Sequence, residues 1–264
     1  MPPQSIWISA PLIPTDRALH KGGRQGHDSQ IGSIAPKVSS NSIMHSYTSV
    51  DMENIVEIPC GFCAEFTGHA SAEFQLRYGD RLNSRQIYND GTFCAFPTIA
   101  QLQVGHLLLA PIAHFENFAS AVKIHANEFL DAYKTVRDKV AQRGHVFTFE
   151  HGAREATGGG CGIYHAHIHL VPLSVALSVQ ELNVFVERSH QNLIDALRSL
   201  EERNEYILTQ DSMGVISTLA GTSFGSQFMR KRLIERLGLD SPNDWRLADQ
   251  HEPAMLAAVN LMGR

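Results

Sequence analysis

The stretch YHAHIHLVP, residues 164–172, sets a histidine at every second position: His165, His167 and His169. Along a β-strand side chains alternate between faces, so the three imidazoles share one side, roughly 7 Å apart from one to the next. Ala166, Ile168 and Leu170 point the other way, into a core. That spacing suits a division of labour among the rings better than one metal ion gripping all three. A wet strand face that happens to be histidine-rich and a simple three-histidine metal site are the competing readings. The strict alternation, and the glycine-rich turn GGGCG (158–162) just before it, favour a catalytic strand.

Outward from this run the chain alternates strand-like and helix-like segments. HVFTFEHG (145–152) reads as a strand before the glycine turn. Upstream, RQIY (85–88) and TFCAFPT (92–98) are strand-like and joined by the turn signal Asn89-Asp90-Gly91. GHLLLAPI (105–112) is a short apolar run suited to a buried strand. Between it and residue 145, Phe118, Val122, Phe129, Tyr133, Val136 and Val140 recur at helical spacing, and Gly144 closes an amphipathic helix over 117–143. Downstream, residues 178–203 read as a second helix opened by a Ser178/Glu181 capping box. Residues 205–221 read as a hairpin and 223–239 as a short basic helix, with Asp244-Trp245-Arg246 as a loop anchor. The order predicts an α+β fold. Residues 1–50 are rich in Gly, Ser and Pro without any period, and are expected to be a flexible arm.

Bulk properties narrow the function classes. The 264 residues are 43% hydrophobic and 19% charged, an ordinary globular composition. A formal net charge of −5 gives no electrostatic footprint for nucleic acid or an anionic membrane. No apolar run reaches the roughly 18 residues of a membrane span. The apolar stretch Ile6–Pro14 lacks a basic region before it, so a secretory signal is not expected. Four cysteines (Cys60, Cys63, Cys94, Cys161) are too few for a disulfide scaffold, and a reducing, cytoplasmic setting is expected. Cys60 and Cys63 form a C-x-x-C pair with the knuckle spacing of a zinc site, though the same pair also suits two reduced, buried thiols.

HAHIHLV resembles the signature of the histidine triad (HIT) superfamily: His, apolar, His, apolar, His, apolar, apolar. CGFC, IYNDGTFCAFPT, GHLLLAPIAHFENF, a long helix and FEHG follow the order that family shows, so the resemblance covers about residues 58–175. It implies a HIT-like fold, an antiparallel sheet with a long helix packed on it. It also implies three parts: the arm (1–50), a catalytic domain (51–176) and a C-terminal helical and hairpin extension (177–264) packed on that domain.

The chemistry implied by the resemblance is attack on the α-phosphorus of a nucleotide conjugate, with His167 as nucleophile, His169 on the α-phosphate oxygens and His165 completing the triad. Neutral imidazole is a good nucleophile at neutral pH without a separate base. A covalent nucleotidyl-histidine divides one hard displacement into two easier ones. The turn before the triad, including Gly160, Cys161 and Gly162, offers backbone N–H groups to phosphate oxygens. Gly162 stands where many family members carry Ser or Thr, so a hydroxyl aimed at the leaving group is missing there. Glu150 and His151 fall where some relatives place a substrate-contacting Asn. Gln227 and Arg230, three apart on the basic helix, are candidate substrate contacts, Arg230 for a phosphate. The zinc-bearing branch adds His114 and His165 to Cys60 and Cys63, a closed structural set with no organic cofactor. His169 in the third triad position favours a hydrolase over a nucleotidylyltransferase. A non-catalytic nucleotide-binding protein is the reading from another class. His106 is expected to be structural, and small HIT proteins pair as dimers through the sheet and long helix.

Overall fold

The computed structural model describes residues 60–70, 72–154, 163–221, 223–247 and 252–262, which belong to one compact unit. The expected arm (1–50) and the turn residues Gly160, Cys161 and Gly162 lie outside the described residues.

The fold is α+β, built on one eight-stranded antiparallel sheet. In chain order its strands are β1 (Tyr88–Asn89), β2 (Phe93–Pro97), β3 (Leu107–Pro111), β4 (His145–Ala153), β5 (Ile168–Leu173), β6 (Val186–His190), β7 (Glu205–Gln210) and β8 (Ile216–Leu219). In space they run β1-β2-β3-β5-β4-β7-β8-β6. The helices are α1 (Gly61–Phe66), α2 (Glu73–Tyr78), α3 (Phe118–Ala141), α4 (Leu193–Ser199), α5 (Phe228–Leu237) and α6 (Glu252–Met262).

Local chemistry explains the elements the sequence announced. The β1–β2 turn is held by Asp90, whose Oδ1 accepts the N–H groups of Thr92 (2.8 Å) and Phe93 (2.7 Å), while Gly91 adopts φ +89°. Asn117 caps α3 by accepting the Ser120 N–H at 2.9 Å. The buried stripe Phe118, Val122, Phe129, Tyr133, Val136 and Val140 then packs against one face of the sheet. Each such large side chain taken from water stabilises the fold by about 1.5–3 kcal/mol. A break in α3 at His125 (φ −121°, ψ 39°) turns that ring edge-on to Phe93 and Phe115, and His125 is half-buried. On the opposite face, Phe147, Phe149 and Val171 pack under α5 through Met229 and Leu233.

Two expectations need correcting. The helix expected over 178–203 is instead a 3-10 turn (Val179–Leu182), then β6, then α4. The Ser178/Glu181 capping box forms, but Asn183 enters the left-handed region (φ 53°) and ends the turn after four residues. Asn192 recaps the chain and starts α4. The second correction concerns the triad. The regular strand begins only at Ile168, so His165 and His167 precede the ladder, and the rings of His167 and His169 lie 5.0 Å apart rather than about 7 Å.

Residues 177–264 extend the sheet as well as packing on it. β7 pairs with β4 from Thr148 to Ala153, and α4 lies against α3. α6, which the sequence reading did not anticipate, seats Met255 and Met262 in the core.

Candidate functional site

Two clusters meet at the start of β5. The first gathers Cys60, Cys63, His114 and His165, whose ligand atoms all lie within 4.8 Å of one another. Cys60 and Cys63 begin α1, where Cys60 Sγ accepts the Cys63 N–H at 3.5 Å. His114 follows the end of β3. The sulfur-to-Nδ1 distances are 3.3 Å (Cys60–His165), 3.4 Å (Cys63–His114) and 3.6 Å (Cys63–His165). Bonds of about 2.3 Å to sulfur and about 2.0 Å to nitrogen at the tetrahedral angle put those atoms roughly 3.5 Å apart, so the edges fit a zinc-sized ion.

Protonation supports the same reading. His165 Nε2 lies 2.7 Å from the Pro111 carbonyl, which accepts and so fixes the proton on Nε2. Nδ1 is then a lone pair at which both sulfurs point, and one lone pair cannot satisfy two thiol donors well. A ligating histidine whose other nitrogen donates to a carbonyl is the arrangement a metal site needs. Burial holds His165 down at about 4 despite that carbonyl, so the ring is neutral. Burial, with the hydrogen bond and charge of Cys60, pushes the Cys63 thiol up to about 12. A metal ion would have to displace that proton. Behind the cluster, Arg85 grips Glu65 of α1 with two bonds of 2.7 Å and donates to the Pro97 carbonyl at 2.6 Å, tying α1 to β2.

The second cluster lines a cavity of about 530 Å³. His167 Nδ1 lies 2.6 Å from the carbonyl of His165 and donates to it, which leaves the Nε2 lone pair as the ring's reactive atom. Burial first, and a neighbouring His151 last, hold His167 down at about 4, against the favourable His165 carbonyl. The ring is therefore neutral and nucleophilic throughout the physiological range. The cysteine–histidine cluster and His167 are coupled: His165 offers its Nδ1 to the first and its backbone carbonyl to the second.

His169 is set from behind by a residue the sequence reading kept as structural. The Leu102 N–H donates to His106 Nδ1 at 3.3 Å, so His106 carries its proton on Nε2. That Nε2 lies 3.0 Å from His169 Nδ1 and donates to it, which assigns the His169 proton to its own Nε2. Phe149 stacks on His169 at 4.3 Å with the rings 7° from parallel. His169 thus lines the cavity as an N–H donor beside His167. Buried Gln101 holds the 98–106 loop by donating to the Thr98 and His106 carbonyls and accepting the Gly105 and His106 N–H groups. The sequence signal for His106 was its place next to Gly105, just ahead of a strand that pairs with the triad strand.

The remaining candidates divide. His151 lines the cavity. Glu150 does not: its carboxylate is buried, accepting the Phe118 N–H at 2.7 Å and the Tyr206 O–H at 2.8 Å. Adjacent strand residues face opposite ways, so the pair could not both meet a substrate. Gly152 lets Tyr206 in, since a Cβ there would lie 2.3 Å from the ring. Gln227 and Arg230 both border the cavity, but each is committed elsewhere. Gln227 clasps Asp244 and the Trp245 N–H. Arg230 donates to the carbonyls of Pro242 (2.7 Å) and Ala100 (2.8 Å) and to Ser241 Oγ (2.6 Å). Burial first, with the Arg230 charge adding to it, holds the His106 and His169 pKa values low.

Burial raises Glu150 to about 8, outweighing the lowering by Phe118 and Tyr206. The folded pKa then lies above the unfolded one. This contribution to stability is complete below about 4.5 and is lost as pH rises toward about 8. Glu150→Gln mimics the protonated carboxyl. Chemical unfolding between pH 5 and 8 is expected to show wild type losing stability relative to that variant, by at most about 1.4 kcal/mol per pH unit.

No family model and no curated protein matches the chain. What the fold and site define is an α+β protein with a Cys2His2 cluster backing a histidine-lined cavity. Solved structures similar to it include histidine triad proteins. A HIT-like protein involved in cell-cycle regulation from Bartonella henselae is 21% identical, covering 40% of this chain and 77% of that one at a TM-score of 0.32. A HIT family hydrolase from Clostridium thermocellum is 20% identical, covering 46% and 96%, with a TM-score of 0.33. A zinc-bound histidine triad family protein from Mycobacterium smegmatis is 19% identical, covering 54% and 90%, with a TM-score of 0.30. No helix among the described residues is long and apolar enough to cross a membrane.

Proposed function

We propose that this chain is a histidine triad enzyme that hydrolyses nucleotide conjugates at the α-phosphate, releasing a nucleoside monophosphate. The observation that carries the reading is the 2.6 Å contact of His167 Nδ1 with the His165 carbonyl, which assigns the proton to Nδ1 and leaves the cavity-lining ring a neutral Nε2 lone pair. In the first step that lone pair attacks the α-phosphorus and the bond to the leaving group breaks. In the second, water attacks phosphorus and the N–P bond breaks, restoring His167. His169 Nε2–H stabilises charge on the equatorial oxygens through both steps. Phe62, Ile99, Leu108 and Trp245 give the cavity an apolar wall suited to a flat base. Cys60, Cys63, His114 and His165 would hold a structural zinc ion, which when bound fixes the His165 backbone behind the nucleophile.

The dimer that the resemblance implies would pair through the sheet and long helix. Here β7 occupies the edge of β4 and α4 lies on α3, so we propose that the chain's own C-terminal residues cover that surface.

The test is a panel of adenylylated and uridylylated conjugates, including dinucleoside polyphosphates and phosphoramidates, assayed with and without inorganic phosphate or a sugar phosphate. Nucleoside monophosphate release independent of the acceptor is expected. Acceptor-dependent product would make the enzyme a transferase or phosphorylase. Binding without turnover across the panel would make it a nucleotide-binding module.

A further inference from the structure

His151 and Glu205 form a buried pair that the mechanism above leaves unused. His151 Nε2 lies 2.6 Å from Glu205 Oε1, and the same oxygen accepts the Phe224 N–H at 3.2 Å. Because the carboxylate accepts, the histidine proton sits on Nε2 and Nδ1 holds a lone pair. That Nδ1 is buried and has no hydrogen-bond partner among the described residues. A buried acceptor left unpaired is costly, and such an atom in a folded protein calls for an explanation in function.

Register places the pair at the nucleophile. Phe149 on β4 stands opposite His169 on β5, and both line the cavity. His167 precedes the ladder, but continuing the same antiparallel count just past its end brings His151 level with His167, and His151 is among the charges that act on that ring. His151 and His167 border both the main cavity and a small void of about 10 Å³ beside it. Glu205 stands opposite Ala153 on β7, diagonal to His151. The C-terminal part of the chain therefore supplies the carboxylate.

We propose that His151, oriented by Glu205, is the general base of the second step, an assignment that rests on the hydrolase reading above. As water attacks the phosphorus, its proton passes to His151 Nδ1. The N–P bond breaks, its electron pair returns to His167 Nε2, and the Glu205 carboxylate stabilises the imidazolium until the proton leaves with solvent. The first step needs no such group when the leaving group is itself a phosphate. Burial holds His151 below its ordinary value against the raising effect of Glu205, which keeps the lone pair available at neutral pH.

The experiment loads the full chain with a phosphorus-labelled adenosine 5′-phosphorimidazolide, whose good leaving group makes loading independent of the natural one. Formation and decay of protein-bound label are then timed separately. In His151→Asn, decay is expected to slow by about 100-fold or more while formation changes little, so the labelled enzyme accumulates. Glu205→Gln, which keeps a hydrogen-bond partner, should slow decay less. The solvent isotope effect on decay should fall in both variants, a change that a merely structural role would not produce. Decay within twofold of wild type in both variants, or equal slowing of formation and decay, overturns the assignment. Failure of the wild type to take up label overturns the hydrolase reading itself.

Discussion

His167→Ala is expected to abolish covalent labelling and to lower turnover by at least about 10⁴-fold. Its Nε2 is the lone pair the covalent route requires, and neither neighbouring ring can replace it: His165 offers its Nδ1 to the cysteine cluster, and His169 carries its proton on Nε2. Label from the α-position of a nucleotide conjugate should stay on the wild-type protein after denaturation and be released by acid, the behaviour of a phosphoramidate. The variant should still bind nucleotide, since the apolar wall of the cavity is untouched. Circular dichroism separates loss of chemistry from loss of fold. Label of equal amount and acid lability in the variant would place the covalent bond on another residue and remove the basis of the mechanism.

The second large effect is expected from the metal. One zinc ion per chain should copurify, and Cys60→Ala or His114→Ala should lose it. Structural zinc contributes several kcal/mol or more to folding, and about 1 kcal/mol shifts the midpoint of a domain this size by roughly 2–4 °C. Chelation or either variant should therefore lower the unfolding temperature on the order of 10 °C. Activity should fall with it, because the His165 carbonyl that accepts from His167 belongs to a residue of the cysteine–histidine cluster. Metal analysis showing no zinc in protein purified without chelator, with both thiols reactive in the folded chain, would mean that the cluster is a packed thiol–imidazole group.

Much of this arrangement was legible in the sequence where the signal is local. Asn89-Asp90-Gly91 needs only its own side chains to make a turn, and the apolar stripe of α3 repeats within a few turns of one helix. The triad announces itself because alternation is a property of neighbours. The helix expected over 178–203 failed for the opposite reason. Val186 begins an edge strand that exists because β8, some thirty residues on, pairs with it. The capping box gave a true start to a turn that tertiary pairing then stopped. Likewise, nothing local marks His106 as the partner of His169, 63 residues away.

The sequence by itself determined which chemistry was available: the alternating histidines, the spaced cysteine pair, and a strand, helix and turn order consistent with an α+β sheet. These follow from side-chain identity and short-range periodicity. Only the tertiary structure decided how that chemistry is deployed. It chose which of Glu150 and His151 faces the cavity, since parity requires one to turn inward but not which one. It also chose which nitrogen of each imidazole carries the proton, because a tautomer is set by the carbonyl, ring or carboxylate that folding brings against it.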